Sequence, residues 1–187
     1  MKNLLGLLLL LIICITSCEG RKTQSQALAE SIEVFKKDTI FKDITYTPET
    51  YQEFNIDSLL SNGFRVKIKT YSDMNNSSLL EEYKKEATIY KKFYRQHISE
   101  LKIYYNNALI ATKTITKSLF TNKKDLDFWS KAILGNVSIN GLKSTGDKLT
   151  LNIYYCIPES EICKDFLIIF DKEGRFTLEE LKTYELP

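Results

Sequence analysis

The chain has 187 residues, of which 26 are basic and 24 acidic, so its formal net charge is +2. This near balance excludes the concentrated basic surface of a nucleic-acid-binding protein, so we expect no nucleic-acid partner. Hydrophobic residues make up 43% of the sequence, which excludes a globally disordered chain and suits one domain or two small ones.

The chain begins with a single lysine, Lys2, and an apolar run from Leu4 to Ile15 that only Gly6 and Cys14 interrupt. A helix that spans a bilayer needs about 20 apolar residues, so this shorter run is typical of the apolar core of an export signal. The alternatives are an ordinary signal peptide and a buried apolar helix that contains a cysteine.

The apolar run ends in Ile15-Thr16-Ser17-Cys18, an aliphatic residue and two small residues before a cysteine. This tetrapeptide resembles the lipobox of bacterial lipoproteins. The resemblance implies that residues 1–17 are a lipoprotein signal peptide, and that Cys18 receives a diacylglycerol and, at its new amino terminus, an acyl chain such as palmitate. Two or three acyl chains hold a protein on a bilayer almost permanently. We therefore predict a lipid-anchored protein of the bacterial cell envelope, in the outer membrane and facing the periplasm or the cell surface.

The exported body divides by composition into a tether and a folded part. Residues 18–38 are polar at first and then weakly helical, which is typical of a lipidated tether. Residues 39–187 are predicted to form a single α+β domain, mainly an antiparallel sheet of short strands and hairpins with one or two helices. At the start of this domain, Asp57 is a candidate cap for a short helical turn that ends at Gly63.

The segment 64–69 alternates between apolar residues and the cations Arg65, Lys67 and Lys69, which predicts a half-buried strand. The polar segment 72–78 that follows is predicted to be a loop. Residues 79–95 suit either a helix or a strand: five apolar and aromatic residues fall near one helical stripe, but "TIYKKFY" also tolerates a strand.

The rest of the chain is predicted to form hairpins around one helix. Leu101–Thr112 alternates on both sides of Asn106-Asn107, which can adopt the positive φ angles of a tight turn. Residues 125–134 have helical spacing, with Gly135 as the expected stop. Short strands follow, in the segments "NVSING", "KLTLNIYYC", "KDFLIIFD" and "RFTLEEL".

Cys156 and Cys163 lie between two strand-like segments, with Pro158 and polar residues in the turn. An even pair of cysteines in an exported protein readily forms a disulfide, so we predict a hairpin whose strand ends are joined by this bridge. A zinc site would need further Cys or His ligands, and His97 is the only histidine. A redox pair would more often have the C-x-x-C spacing.

Motifs for catalysis are scarce in this sequence. Ser99 and Lys102 match the letters S-x-x-K, but the segment alternates as a strand, which places the two side chains on opposite faces. The acidic residues around Gly174 resemble a calcium loop but offer too few carboxylates, and a hairpin turn explains them better. His97 is interpreted as an ordinary surface or partly buried residue. We therefore predict no catalytic residue, no metal site and no cofactor.

Aromatic and basic residues on strands give one candidate binding surface, since tyrosine rings stack on sugars and peptides. Each tyrosine pair, 104–105 and 154–155, should place one ring inward and the other outward. The sequence thus favours a non-enzymatic, lipid-anchored module that binds an envelope protein or glycan. The alternative is an envelope hydrolase that uses carboxylates. The candidate surface residues are Arg65, Lys67, Lys69, Tyr104 and Tyr154.

Overall fold

The computed structural model describes residues 22–38, 40–120 and 125–181. The predicted signal peptide and the predicted lipidation site, Cys18, lie outside these ranges. Within them, no helix has both the length and the apolar character that crossing a membrane requires.

The described chain is predominantly β, with two α-helices, so the predicted mainly antiparallel sheet is confirmed in this coarser form. Most elements are strands of six to nine residues, whereas β3 and β4 are much longer. In chain order the elements are α1 (Gln24–Asp38), β1 (Phe41–Thr47), β2 (Glu53–Leu59), β3 (Phe64–Lys85), β4 (Thr88–Tyr105), β5 (Ala108–Ile115), a 3-10 helix (Lys117–Leu119), α2 (Leu126–Lys131), β6 (Ile133–Ile139), β7 (Lys148–Cys156), β8 (Cys163–Asp171) and β9 (Phe176–Leu181).

The chain divides into two compact units, of which the smaller contains α1 and the turn between β3 and β4. The helix begins after Thr23, whose hydroxyl accepts a hydrogen bond from the backbone N–H of Gln26 at 3.3 Å. In the same unit, the rings of Phe35 and Phe41 pack edge to face with centroids 6.1 Å apart. The weak helix predicted before residue 38 is therefore present.

The larger unit contains two sheets. In the first, the strand order is β1-β4-β3-β2, and β5 also pairs with β4. In the second, the order is β6-β7-β8-β9. The pairs β2–β3, β4–β5, β6–β7, β7–β8 and β8–β9 are antiparallel, as expected for strands joined by short turns.

One hydrophobic core lies between the two sheets, because every second residue of the central strands points into it. Phe64, Val66 and Ile68 of β3 are at most 2% exposed, and Leu101 and Ile103 of β4 are fully buried. The second sheet contributes Leu149, Leu151, Ile153, Tyr155, Phe166, Ile168 and Phe170.

Aromatic rings fill one end of this core. The ring of Tyr155 lies 5.1 Å from that of Phe120 and 5.3 Å from that of Trp129, between centroids. Trp129 and Phe128 come from α2, so the apolar face of this short helix covers the end of the second sheet. Aromatic contacts of this kind stabilise the core beyond the contribution of the surface area that the rings bury.

The structure corrects the sequence predictions for two segments and decides between the two alternatives for a third. Residues 72–78 are not a loop but part of β3, because β4 continues alongside and satisfies their backbone groups. Residues 79–95 are strand on both sides of a turn at Glu86 and Ala87, rather than helix. Asp57 caps no helical turn and belongs to β2.

Several other predictions are confirmed. Asn106 and Asn107 form the turn between β4 and β5 with φ angles of 48° and 67°. The predicted helix at 125–134 is present over Leu126–Lys131, but Gly135 does not end it. Gly135 instead lies in β6, where the register with β7 shifts between Leu134 and Asn136.

The turn between β8 and β9 depends on Gly174, whose φ of +80° favours glycine. A Cβ atom there would lie 2.1 Å from the carbonyl oxygen of Ile110. We expect Gly174→Ala to lower the free energy of unfolding by about 2–3 kcal/mol, through steric overlap and backbone strain. Gly146→Ala is the matched control, because no atom lies within 4 Å of its Cβ position. Urea unfolding measures both, and equal effects would contradict the close approach.

A second prediction concerns Tyr155, whose hydroxyl is buried and has no hydrogen-bond partner among the described residues. Burial raises the pKa of this hydroxyl. Tyr155→Phe removes an unsatisfied polar group while keeping the ring, so we expect the free energy of unfolding to stay unchanged or rise by about 1 kcal/mol. Tyr155→Ala should lower it by about 3–5 kcal/mol. A clear loss for Tyr155→Phe in the same unfolding assay would indicate that the hydroxyl is satisfied after all.

Candidate functional site

The residues of the first sheet that alternate with the core residues form an outer face, contributed by β2, β3 and β4. Arg65, Lys67 and Lys69 lie on it, as predicted, because their neighbours Phe64, Val66 and Ile68 point inward. The cations are partly exposed: 43–45% of each side chain is accessible.

Asp57 of β2 forms ion pairs with two of these cations. It lies directly opposite Lys67 in the antiparallel register. Its carboxylate accepts two hydrogen bonds from Arg65, from Nε at 2.7 Å and from Nη2 at 2.8 Å, and lies 3.2 Å from the Lys67 ammonium. The Arg65 hydrogen bonds, followed by that from Lys67, lower the pKa of Asp57 to about 2.

Glu53 has the same role at the other end of β2. Its carboxylate accepts hydrogen bonds from Asn55 Nδ2 at 2.9 Å and from the Tyr51 hydroxyl at 2.7 Å, and lies 2.9 Å from the Lys69 ammonium. These bonds, that from Asn55 first, lower the pKa of Glu53 to about 2. Both acids of β2 are therefore ionised throughout the physiological pH range.

A groove of about 380 Å³ crosses this face between β2 and β4. On the β4 side, the Tyr71 hydroxyl donates a hydrogen bond to Glu100 at 3.1 Å, and the Lys69 ammonium lies 5.6 Å from the centre of the Tyr71 ring. The groove thus offers hydrogen-bond donors and acceptors within a small area, with the Tyr71 ring near its Lys69, as ligand-binding surfaces commonly do. The residues that line it are Asn55, Ile56, Asp57, Lys67, Ile68, Lys69, Glu100 and Lys102.

The two predicted surface tyrosines lie on different faces. Tyr104 is on the outer face of the first sheet, where its side chain interacts electrostatically with that of Arg65. Tyr154 belongs to β7 of the second sheet, and its neighbour Tyr155 points into the core. The structure therefore brings Tyr104 close to Arg65 and places Tyr154 on the other sheet.

The predicted disulfide between Cys156 and Cys163 is present, and these residues form the last register pair of the β7–β8 hairpin. The loop that it closes reaches the first sheet through Glu159. The Glu159 carboxylate accepts a hydrogen bond from the Tyr94 hydroxyl at 2.7 Å and pairs with the Lys92 ammonium. The bridge thus closes a loop with a defined contact on β4.

A second concave site involves residues that the sequence did not indicate. A pocket of about 500 Å³ opens between β3, β4 and the 3-10 helix. His97, which the sequence presents as an ordinary polar residue, lines it together with Lys117. Its lining residues are Asp73, Asn76, Gln96, His97, Ile98, Thr116, Lys117 and Ser118. No periodic signal in the sequence joins these residues, because they come from three separate elements.

A metal site is not found among the described residues, where no three His, Cys, Asp or Glu side chains come together suitably. At the calcium-like segment, Asp171 instead forms the turn. Its carboxylate accepts backbone hydrogen bonds from Glu173 at 3.0 Å and from Arg175 at 2.9 Å, and pairs with the Arg175 guanidinium. This arrangement is the hairpin turn that the sequence predicted.

The paired acids were missed by the sequence analysis, although a signal for them exists. Acids recur at residues 53 and 57 with the period of a strand, and cations recur at 65, 67 and 69 beyond the short turn at 60–63. Complementary charges at this spacing indicate a hairpin with ion pairs across it. The sequence analysis interpreted Asp57 as a helix cap and therefore did not pair it with the cations.

Comparison with known proteins gives one family. A family model with the description "Domain of unknown function (DUF4738)" matches residues 20–178. No curated protein matches the chain. The matched range contains α1, both sheets as far as β9, the groove and the pocket, and it begins after Cys18.

Proposed function

This chain belongs to the DUF4738 family, and from that premise we propose that it is a lipid-anchored cell-envelope protein whose folded body binds a partner through the outer face of its first sheet. The family description assigns no activity, so the proposal depends on the chain's own residues. The proposed localisation is supported by the N-terminal sequence, and the proposed binding surface is supported by the groove.

The anchor is supported by the order of features at the N-terminus. One lysine, an apolar run, two small residues and Cys18 follow one another as in the lipobox of bacterial lipoproteins. The family match begins at residue 20, so the family resemblance lies outside this segment. The disulfide agrees with an oxidising compartment, where such bridges form and persist.

The observation that carries the binding proposal is the groove with its fixed charges. Arg65, Lys67 and Lys69 are held in place by Asp57 and Glu53, so their side chains lose little further freedom when a partner binds. Lys102 and Glu100 add charges of both signs on the opposite wall. A partner with alternating polar groups and apolar faces, such as a glycan or an extended peptide, suits this arrangement.

The pKa values of the groove favour binding over carboxylate catalysis. A general acid needs a carboxyl group whose pKa is raised toward the working pH. The pKa of Glu53 and that of Asp57 are instead lowered to about 2. We therefore place the hydrolase alternative behind the binding module.

The lipid anchor is tested by metabolic labelling with a palmitate analogue. We expect label in the wild-type chain and none in Cys18→Ala, because the thioether forms on the Cys18 sulfur. Cys14→Ala is the matched control and should be labelled as the wild type. Equal labelling of Cys18→Ala and wild type would refute the anchor.

The binding face is tested by site-specific photo-cross-linking in intact cells, with a photoreactive phenylalanine at position 104 or 154. We expect discrete adducts from position 104, beside the groove, and none from position 154, which serves as the matched tyrosine site on the second sheet. Adducts from both positions, or from neither, would contradict the proposal.

Sedimentation with purified cell-wall glycan tests whether a glycan is the partner. Lys102→Glu should weaken binding to the glycan by about threefold to tenfold, whereas the exposed loop variant Lys143→Glu should not.

A further inference from the structure

The pocket between β3, β4 and the 3-10 helix contains a cation with an unusual environment. Lys117 is half-buried, and its ammonium lies 3.3 Å from the Ser78 hydroxyl. Among the described residues, no carboxylate pairs with Lys117, whereas Lys69, Lys92 and Lys164 each have an acidic partner.

Burial lowers the pKa of Lys117, while the acidic partners of the other three lysines raise theirs. Burial without a counter-charge is unfavourable for an ammonium, and an anion beside it would offset that penalty. An anion bound beside the Lys117 ammonium would therefore stabilise its charged form.

The wall behind Lys117 is polar and ordered. Ser78 is only 5% exposed, and its hydroxyl also accepts a hydrogen bond from Gln96 Nε2 at 2.6 Å. Because Ser78 accepts from both the amide and the ammonium, its own O–H remains available to donate. The Oε1 atom of Gln96 is buried without a hydrogen-bond partner among the described residues. A polar network that is this incomplete is typical of a site that a ligand or water completes.

The remaining walls define what kind of anion fits. His97 Nδ1 lies 3.2 Å from the carbonyl oxygen of Leu134, which can only accept, so Nδ1 carries the proton. The other ring nitrogen is then an acceptor for a neutral imidazole, and burial lowers the pKa of His97 and favours this neutral form. The pocket therefore pairs donors at Lys117 and Ser78 with an acceptor at His97.

Asp73 limits the charge of the ligand. Burial raises the pKa of its carboxyl, but hydrogen bonds from Asn76 and Asn75 outweigh that effect and leave the pKa lowered, so Asp73 is ionised. Asp73 forms no ion pair with Lys117, but its negative charge in the same lining disfavours a ligand with more than one negative charge, such as a phosphate dianion. The lining residues also include no arginine fork, the group that favours phosphate.

We propose that this pocket binds the carboxylate of a small molecule that also carries an N–H or O–H donor, as the C-terminal residue of a peptide does. The carboxylate lies against the Lys117 ammonium and the Ser78 hydroxyl, and the donor faces His97. A volume of about 500 Å³ accommodates a ligand of one or two residues. This proposal does not depend on the groove or on the lipid anchor.

Amine footprinting on the full-length chain tests the proposal. The probe is N-acetylalanine. Its neutral counterpart is N-acetylalaninamide, in which an amide group replaces the carboxylate. Lysines are modified with a limiting amount of an amine-reactive ester, and each modified peptide is quantified by mass spectrometry. We expect saturating N-acetylalanine to slow modification of Lys117 about fivefold and to leave the exposed Lys143 unchanged. No protection, or equal protection by N-acetylalaninamide, would overturn the proposal.

Calorimetry on variants provides the second measurement. Lys117→Met keeps the side-chain length without the charge, and we expect it to bind N-acetylalanine at least about tenfold more weakly. Lys143→Met should bind as the wild type. Inorganic phosphate distinguishes a carboxylate site from a general anion site, and phosphate binding as tight as that of N-acetylalanine would refute the assignment. If Lys117→Met fails to fold, the footprint of the wild-type chain still decides.

Discussion

The inward-pointing residues of β3 and β4 pack against those of β7 and β8, and this contact fixes almost everything else in the larger unit. Phe64, Val66 and Ile68 cannot leave the core without exposing apolar side chains to water, so the register of β3 is fixed. Their neighbours Arg65, Lys67 and Lys69 must then point outward together. The shared position of these three cations on the outer face is thus a direct consequence of the core packing.

The two concave sites differ in how their charges are balanced. In the groove, Asp57 lies opposite Lys67 and pairs with both Lys67 and Arg65, and Glu53 pairs with Lys69. In the pocket, Lys117 has no acidic partner among the described residues. Cations that already have acidic partners recognise a ligand mainly through shape and hydrogen bonds, whereas a cation without such a partner selects for charge. The two sites therefore suit different ligands.

Short-range patterns in the sequence predicted the local hairpins well. The Asn106-Asn107 turn and the hairpin that Cys156 and Cys163 close depend on neighbouring residues alone, and both are present. The strand at 64–69 was likewise evident from its alternation. In each of these cases local turn chemistry and period two agree with the final pairing.

Longer-range pairing explains what the sequence did not predict. The polar segment 72–78 has the composition of a loop, and only the neighbouring strand β4 makes it a strand. The pocket combines residues from β3, β4 and the 3-10 helix, and no spacing in the chain reveals that meeting. The pairing of Asp57 with Lys67 was accessible in principle, since it follows from a hairpin register, but the turn signals around it favoured a helix instead.

The loop closed by Cys156 and Cys163 connects the second sheet to β4 of the first sheet. Its residue Glu159 holds Lys92 and Tyr94 of β4, a few residues before Gln96 and the pocket wall. Neither cysteine belongs to the hydrophobic core, so the bridge constrains the β7–β8 loop rather than the packing of the core. The covalent bridge therefore limits how far Glu159 can move away from Lys92 and Tyr94, on the strand that continues into the pocket wall.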